Sequence, residues 1–520
     1  MKIYDGGLNL LFIFILFRLF SYSFIVLLSP IPDHISDAFY PPFIKSETNS
    51  NTNIFSILKH FMRWDSIYFT FVSTHGYVID TSTAFFPFLP ILINIFRTFI
   101  VGPLNFMNLD VLNSTILSGI LVNFIINVLA IIQLYRLTIA IFKCERLAIL
   151  TCLLFMCNPA LVFFLSLYSE SIFFLTTISG LLYYEMKSYS WSFIALMLSG
   201  FARSNGVLNV VFFIHPIFVQ SILEIRKSFC NTKTIKDSLI FWKKVIFFLG
   251  KIAISIFLFF TPFIIYQIYI YSLFCDGELM SKVPINLLPS IHSESLSYFS
   301  RENFNLALNL NKNSNQTVPL WCKERLPSAY NYMQKEVWGN GFLKYFQIKQ
   351  IPNFLLAVPI FLTSVFASSS FYKKEPKSYL SLGIKHFNKN LNSRFVIHIY
   401  HLLFLTMFAL THMHVQVMTR MILSSCPIVY WFIALRLYKQ TTILNIFVED
   451  PNDRKSRHEK DLNSDRTKRD REIEKNLPYS ILYAINPFEY RRTVDICLLG
   501  YFLTYSFIGC ILHSNGFPWT

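Results

Sequence analysis

Charge is scarce in this chain: 15% of its 520 residues are Asp, Glu, Lys or Arg, while 53% are hydrophobic and 56 are Phe. That balance excludes a water-soluble globule, because one core cannot hide so much apolar surface. Glycine is sparse as well, at 16 residues, and neither a GxxxxGK[ST] nor a GxGxxG loop occurs. A nucleotide-driven pump and a dinucleotide enzyme are therefore disfavoured. The nine cysteines never fall in CxxC pairs, which argues against a zinc ribbon or a disulfide scaffold. No repeat of fixed period is evident, so a transporter built from duplicated halves loses support.

Long apolar runs take the place of these features. Segments near 8–28, 114–135, 147–166, 171–184, 190–214, 245–274, 351–371, 395–411, 421–438 and 494–513 read as spans of a ~30 Å hydrocarbon core. The expected fold is an all-α polytopic bundle of roughly nine to eleven transmembrane helices. The stretch 84–101 fits a span, a re-entrant segment or an interfacial one. The first run carries Arg18 and ends at Ser29-Pro30 without a small-x-small site, so it reads as a retained helix and not a signal peptide.

Loop charge sets the expected orientation. Segments 216–244 and 371–394 each hold six Lys or Arg, against two acids and one, whereas 29–84 holds three against five. The two basic loops are then cytosolic and 29–84 luminal. Loop 275–350 has eight bases and six acids and holds the sequon Asn315-Gln316-Thr317, usable only on a luminal face. A second sequon begins at Asn113. Cys275 and Cys322 share that loop and could pair in an oxidising lumen. The net charge of +16 lies beside the spans, which suits membrane lipid headgroups better than nucleic acid. From Glu449 to Lys475 nine acids face nine bases, the composition of a solvated cytosolic loop.

Polar residues inside such a chain are the candidates for chemistry. Asp65, after Trp64 and before Ser66-Ile67-Tyr68-Phe69, reads as a carboxylate on a short amphipathic helix at the bilayer interface. It is either a general base or a surface acid paired with Arg63. Glu170, after Tyr168-Ser169, interrupts a long apolar region, and Arg203-Ser204-Asn205-Gly206 interrupts another. Ionisable groups at such depth face a polar cavity or each other, unless they merely end helices at the interface. His412 and His414, with Gln416 and Arg420, form a polar link between two apolar runs. The HxH pair lacks a third metal ligand at fixed spacing, so hydrogen bonding to a sugar or phosphate and helix capping are the stronger readings.

These residues, in order, carry a resemblance. Trp64-Asp65, His75-Gly76-Tyr77, Ala84-Phe85-Phe86-Pro87, Asn158-Pro159-Ala160, Tyr168-Ser169-Glu170 and Arg203-Ser204-Asn205-Gly206 resemble the PIG-V type, the GPI mannosyltransferase 2 family. So do Pro319-Leu320-Trp321-Cys322, Gly341-Phe342-Leu343-Lys344-Tyr345, the run from Gln350-Ile351-Pro352-Asn353 to Ala357, and His412-Met413-His414-Val415-Gln416-Val417. Thr419-Arg420, Pro427-Ile428-Val429-Tyr430-Trp431-Phe432, Gly500-Tyr501-Phe502-Leu503-Thr504-Tyr505 and Pro518-Trp519-Thr520 complete the series, which runs nearly the whole chain. Tyr68, Asp80 and, around Trp338, Val337, Gly339 and Asn340 depart from the pattern of animal members, so the resemblance gives positions 68, 337, 339 and 340 no essential role.

The resemblance implies a glycosyltransferase of the GT-C type in the endoplasmic-reticulum membrane, multi-pass. It would transfer the second mannose, α1,6-linked, from dolichyl-phosphate mannose to a glycosylphosphatidylinositol (GPI) precursor. The rivals are a GT-C enzyme with another acceptor and a lipid transporter or scramblase. In the first reading Asp65 is catalytic, and Trp64, His75, Tyr77, Glu170, Arg203, Asn205, His412, His414, Gln416 and Arg420 are the substrate-binding candidates. No cofactor is asked for, since cationic side chains can meet the donor's single phosphate, and an accessory subunit is left open. The expected division is a first helix to residue 28, a luminal catalytic loop over 29–113, and a central bundle over 114–274. A luminal loop over 275–350, a second bundle over 351–438, a charged cytosolic loop over 439–493 and a last helix with luminal tail over 494–520 follow.

Overall fold

A chain in lipid must satisfy its backbone hydrogen bonds internally, and the apolar runs do so as helices. The structure, a computed structural model, describes residues 5–27, 57–102, 109–230, 235–275, 319–385, 394–438, 485–517 and 519. Among these residues every regular element is helical. In order they are α1 (Asp5–Leu27), α2 (Asp65–His75), α3 (Phe88–Phe96), α4 (Val111–Phe142), α5 (Glu145–Met156), α6 (Leu161–Leu165), α7 (Glu170–Glu185) and α8 (Tyr189–Ala202). Then come α9 (Val210–Cys230), α10 (Ile235–Phe274), α11 (Ala329–Tyr332), α12 (Ile351–Lys374), α13 (Pro376–Leu380), α14 (Val396–His412), α15 (Met418–Ser425), α16 (Pro427–Tyr438) and α17 (Thr493–Ser514).

Six of these helical stretches are long and apolar enough to cross a membrane, or seven if α15 and α16, bent by 75°, count as one span. The chain is a multi-pass membrane protein. The count falls short of nine to eleven because several expected spans are broken. Segment 147–166 divides into α5 and α6 at Asn158-Pro159, where the Asn158 amide donates to the Phe155 carbonyl and accepts from the Ala160 N–H. Segment 190–214 divides at Arg203, and 421–438 divides at Cys426-Pro427, where proline cannot donate to the helix ladder. The 84–101 stretch is nine α-helical residues of α3 and a five-residue π turn, too short to span.

The core lies where α5, α6, α7 and α16 meet. Phe155 stacks on Phe174 at 4.6 Å and meets Phe164 and Tyr430 edge-on at 5.4 and 5.9 Å. In lipid such packing holds helices together by close contact, because burial from an apolar solvent gains little. Arg18, noted in the first apolar run, is fully buried there with its guanidinium 4.7 Å from the Phe14 ring centre and 5.6 Å from that of Phe155. On the outside, α10 shows Trp242, Phe247, Ile254, Phe257 and Ile268, the surface expected against lipid tails. One end of the bundle gathers the start of α2, the α6–α7 break, the end of α8 and the α14–α15 link. Glu145, Glu185, Arg394, Arg436 and Asp495 lie toward the other end, where Arg394 pairs with Glu185 at 3.3 Å.

Candidate functional site

Each charged residue of the site sits where an apolar helix is interrupted. Asp65 opens α2, and its carboxylate faces the positive end of that helix. Trp64 before it has φ 55° and ψ −123°, a strained backbone for a bulky residue, of order 1–3 kcal/mol. Neighbours fix it in place: Arg63 Nε donates to the Ser514 carbonyl at 3.1 Å, and the Tyr168 hydroxyl donates to the Arg63 carbonyl at 3.0 Å. His60 donates from Nδ1 to the same Ser514 carbonyl at 2.9 Å. Arg63 is thereby directed to α17 and away from the pairing with Asp65 that the sequence left open.

α2 does not lie on the surface of the protein but is packed inside it. Ser66, Ile67, Phe69, Thr70, Phe71, Val72 and Ser73 are all buried. Its polar side chains make this tolerable, since Thr70, Ser73 and Thr74 each donate to the carbonyl four residues back, at 2.7–2.8 Å. In the first turn Asp65 and Tyr68 stay partly open, Asp65 with a third of its side chain exposed (34%).

Glu170 opens α7 in the same way. The break before it is shaped by two asparagines of α4: Asn123 donates to the Ser166 and Tyr168 carbonyls at 2.5 and 3.3 Å, and Asn127 to the Phe164 carbonyl at 2.7 Å. At the end of α8 the chain becomes extended at Arg203 and continues as a 3₁₀ turn, Ser204–Asn209. Gly206 is required there, because a Cβ would lie 2.3 Å from the Ser199 carbonyl.

These interruptions place four charges in an alternating row. Arg420 Nη1 stands 2.6 Å from Asp65 Oδ2 and 3.6 Å from Glu170 Oε1, and Arg203 forms an ion pair with Glu170. Glu170 is 1% exposed and Arg420 15%. The Arg420 guanidinium also lies over the Phe163 and Tyr168 rings, at 5.2 and 5.6 Å, which favours a cation in a dry setting. A carboxylate open to a ligand, backed by guanidinium groups, can accept a proton on one side and hold an anionic oxygen on the other.

Comparison with known proteins identifies the family. The profile of the family described as mannosyltransferase (PIG-V) matches residues 7–520. The chain belongs to the PIG-V mannosyltransferase family. It is 30% identical over 503 residues to GPI alpha-1,6-mannosyltransferase 2 of Mus musculus and 29% over 503 to that of Homo sapiens, with 94% of each chain covered in both cases. GPI mannosyltransferase 2 of Drosophila melanogaster is 24% identical over 509 residues, again with 94% covered on each side. The solved oligosaccharyltransferase of Archaeoglobus fulgidus, in its apo form, is a distant likeness with 11% identity and a TM-score of 0.41, over 96% of this chain and 56% of that one. No argument rests on that likeness.

The PIG-V match takes in the remaining candidates, which the fold distributes unevenly. Asn205 adjoins the charged row, donating to the Ser425 hydroxyl at 3.2 Å, and Ser204 hydrogen-bonds Tyr330 at 2.6 Å. Tyr77 is a wall residue: its hydroxyl donates to the Phe85 carbonyl at 2.6 Å. Phe85 stacks on Tyr68 at 4.6 Å, one turn along α2 from Asp65. Burial, followed by the charge of Asp65, raises the pKa of the Tyr68 phenol above its ordinary value. His75 is set apart, since ten residues of α2 at 1.5 Å each put it about 15 Å from Asp65.

The α14–α15 link belongs to a second polar cluster. His414 donates from Nε2 to the Trp338 carbonyl at 2.7 Å, Gln416 donates to Asn353 at 2.9 Å, and Asn353 donates to the Tyr345 hydroxyl at 2.9 Å. His412 hydrogen-bonds Thr411 at 2.7 Å and stacks on Phe408. Trp338 meets Phe85 edge-on at 5.6 Å, so this cluster adjoins the Asp65 wall through aromatic contacts. Sequence reasoning missed Asn123, Asn127 and His513, which contacts the Tyr168 hydroxyl at 3.1 Å. The two asparagines stand four residues apart inside an apolar run, and that spacing was the available signal.

Proposed function

We propose that this family member adds the second mannose, in α1,6 linkage, to a GPI precursor, taking it from dolichyl-phosphate mannose in the endoplasmic-reticulum membrane. The acceptor and linkage follow the names of the relatives, and the architecture is read as GT-C type. The observation that carries the mechanism is Asp65, partly open, paired with Arg420 and backed by Glu170 and Arg203.

In this reading Asp65 takes the proton from the acceptor hydroxyl as its oxygen attacks the mannose C1. The bond from C1 to the phosphate oxygen breaks on the opposite face, and a β-linked donor gives an α-linked product. Arg420, with Arg203 behind it, meets the charge growing on the leaving phosphate, where fixed donors matter most. Trp64, Asn205 and the His412, His414 and Gln416 link would line the approach of the sugar and the glycolipid.

Orientation has its own support. Cys275 and Cys322, of which Cys275 directly follows α10, form a disulfide with Cα atoms 5.6 Å apart, and such bonds persist in oxidising compartments. That favours a luminal site end, in agreement with the loop charges. The expected cytosolic loop lies within 439–484 for the most part, outside the described residues, as does Asn315. Asn113 is 1% exposed on α4, which makes it a poor glycan acceptor.

The test is mannose transfer from radiolabelled dolichyl-phosphate mannose in microsomes from cells lacking the second GPI mannose. Expression of this chain should restore a GPI intermediate one mannose longer, sensitive to an α1,6-mannosidase. A labelled product that is not a GPI lipid would overturn the acceptor.

A further inference from the structure

We propose that Asp65 and the donor phosphate compete for Arg420, so that arrival of the phosphate is what releases the base. This rests on the reading just given of Asp65 as base and Arg420 as the phosphate-facing group.

The row Asp65, Arg420, Glu170, Arg203 carries two negative and two positive charges and sums to zero. The charge of each guanidinium in it is already matched, so an incoming anion competes with a carboxylate for Arg420. Asp65 is the one to yield. It is a third exposed, whereas Glu170 is 1% exposed and paired with Arg203 as well. Removing the partner of a deeply buried carboxylate costs far more than turning an open one toward water. Arg420 has the freedom to exchange: the same Nη1 already faces both carboxylates, at 2.6 and 3.6 Å. Its plane rests on the Phe163 and Tyr168 rings, a support that gives no preference to one anion over another.

The exchange fits the charge changes of the reaction. While Arg420 holds Asp65 Oδ2, that oxygen is engaged with the cation and is not free to meet the acceptor hydroxyl. The donor phosphate is a diester with one negative charge. As C1–O breaks, the electron pair stays with phosphate and a monoester of higher charge is left, so its hold on Arg420 strengthens in the transition state. At the same moment the acceptor O–H breaks, its proton goes to Asp65, and the new C1–O bond forms. Departure of the phosphate lets Arg420 return to Asp65, which drives the proton off to water and resets the site.

The test is binding of dolichyl phosphate, which has no mannose to transfer, to the full-length protein in nanodiscs. Asp65→Asn keeps shape and loses charge; it should bind dolichyl phosphate more tightly than wild type, by about three- to tenfold, the scale of a partly exposed ion pair. Asp65→Ser, with a smaller neutral side chain, should tighten binding in the same direction. On an Arg420→Ala background, where nothing is left to compete for, Asp65→Asn should leave the affinity unchanged. Equal or weaker binding by both Asp65 variants overturns the competition, as does tightening that persists without Arg420. Transfer activity reports separately on the underlying reading: an Asp65→Asn protein that still transfers mannose refutes the base. A wild type blind to dolichyl phosphate refutes the donor and the competition together.

Discussion

The two ends of the bundle both hold arginine–carboxylate pairs, and they differ in what surrounds them. At the far end Arg436 Nε meets Asp495 Oδ1 at 2.5 Å, with Asp495 wholly buried and the guanidinium over the Phe366 and Phe432 rings at 4.9 and 5.9 Å. The acid stands in the first turn of α17 and the arginine in the last turn of α16, so both helix dipoles favour the pair. There the carboxylate is wholly buried and only the arginine, at 21%, reaches the surface. At the site end Arg420 is shared between two carboxylates, one of them a third exposed. An arginine and an acid in contact are thus a closed pair in one place and, in the proposed reading, the seat of chemistry in the other. Exposure of the carboxylate, 34% for Asp65 against 0% for Asp495, and the sharing of the cation make the difference.

Substitutions can break this contrast. The largest effect is expected for Asp65→Asn, which should lower mannose transfer by about a hundredfold or more with protein abundance and membrane insertion unchanged. Wild-type transfer by this variant would remove Asp65 as base. At the other end Arg436→Ala takes the arginine partner from a wholly buried carboxylate, at a cost of up to roughly 3–5 kcal/mol. The measurable result is lower abundance and earlier thermal aggregation, while the folded remainder keeps its turnover; Arg436→Met with Asp495→Leu should recover much of the loss. Reduced turnover with normal stability would show that the far pair is functional after all.

Arg420 lies between these extremes. Arg420→Ala removes a charge-assisted contact of about 1.5–3 kcal/mol, and Arg420→Lys restores part of it as a point charge. Donor KM should rise from wild type through Lys to Ala, with acceptor KM little changed. A donor saturation curve unaffected by Arg420→Ala would take this residue out of the site. The smallest effect is expected from deleting 452–474, a run with balanced charge and little to bury. Transfer should stay within a few fold of wild type, and total loss at normal abundance would show that the run binds something essential.

Much of this contrast was visible in the chain before its fold, but only one side of it. Asp65, Glu170, Arg203 and Arg420 stand out because ionisable groups are rare in so apolar a sequence. The partnership between Glu170 and Arg203 was among the readings left open. The Asp65–Arg420 pair was not foreseen, since 355 positions separate its members (420 − 65) and no local rule links them. The packing of α2 inside the protein was not legible, because its Ser and Thr residues look solvent-seeking in sequence and satisfy themselves on their own helix. Arg436 and Asp495 were passed over, each being a lone charge near the end of an apolar run, where an interfacial position is the ordinary expectation.

Hydropathy alone determined that the chain lives in a membrane as a helical bundle, because lipid leaves the backbone few other choices. The run of motifs along its whole length was enough to indicate the family. Tertiary structure decided how many runs are continuous, since a break depends on whether neighbours such as Asn123 and Asn127 can satisfy the freed carbonyls. It also decided which charges meet. Electrostatic attraction falls with distance in space and is indifferent to distance along the chain, so only the packing of α2, α7, α8 and α15 could bring four isolated charges into one row.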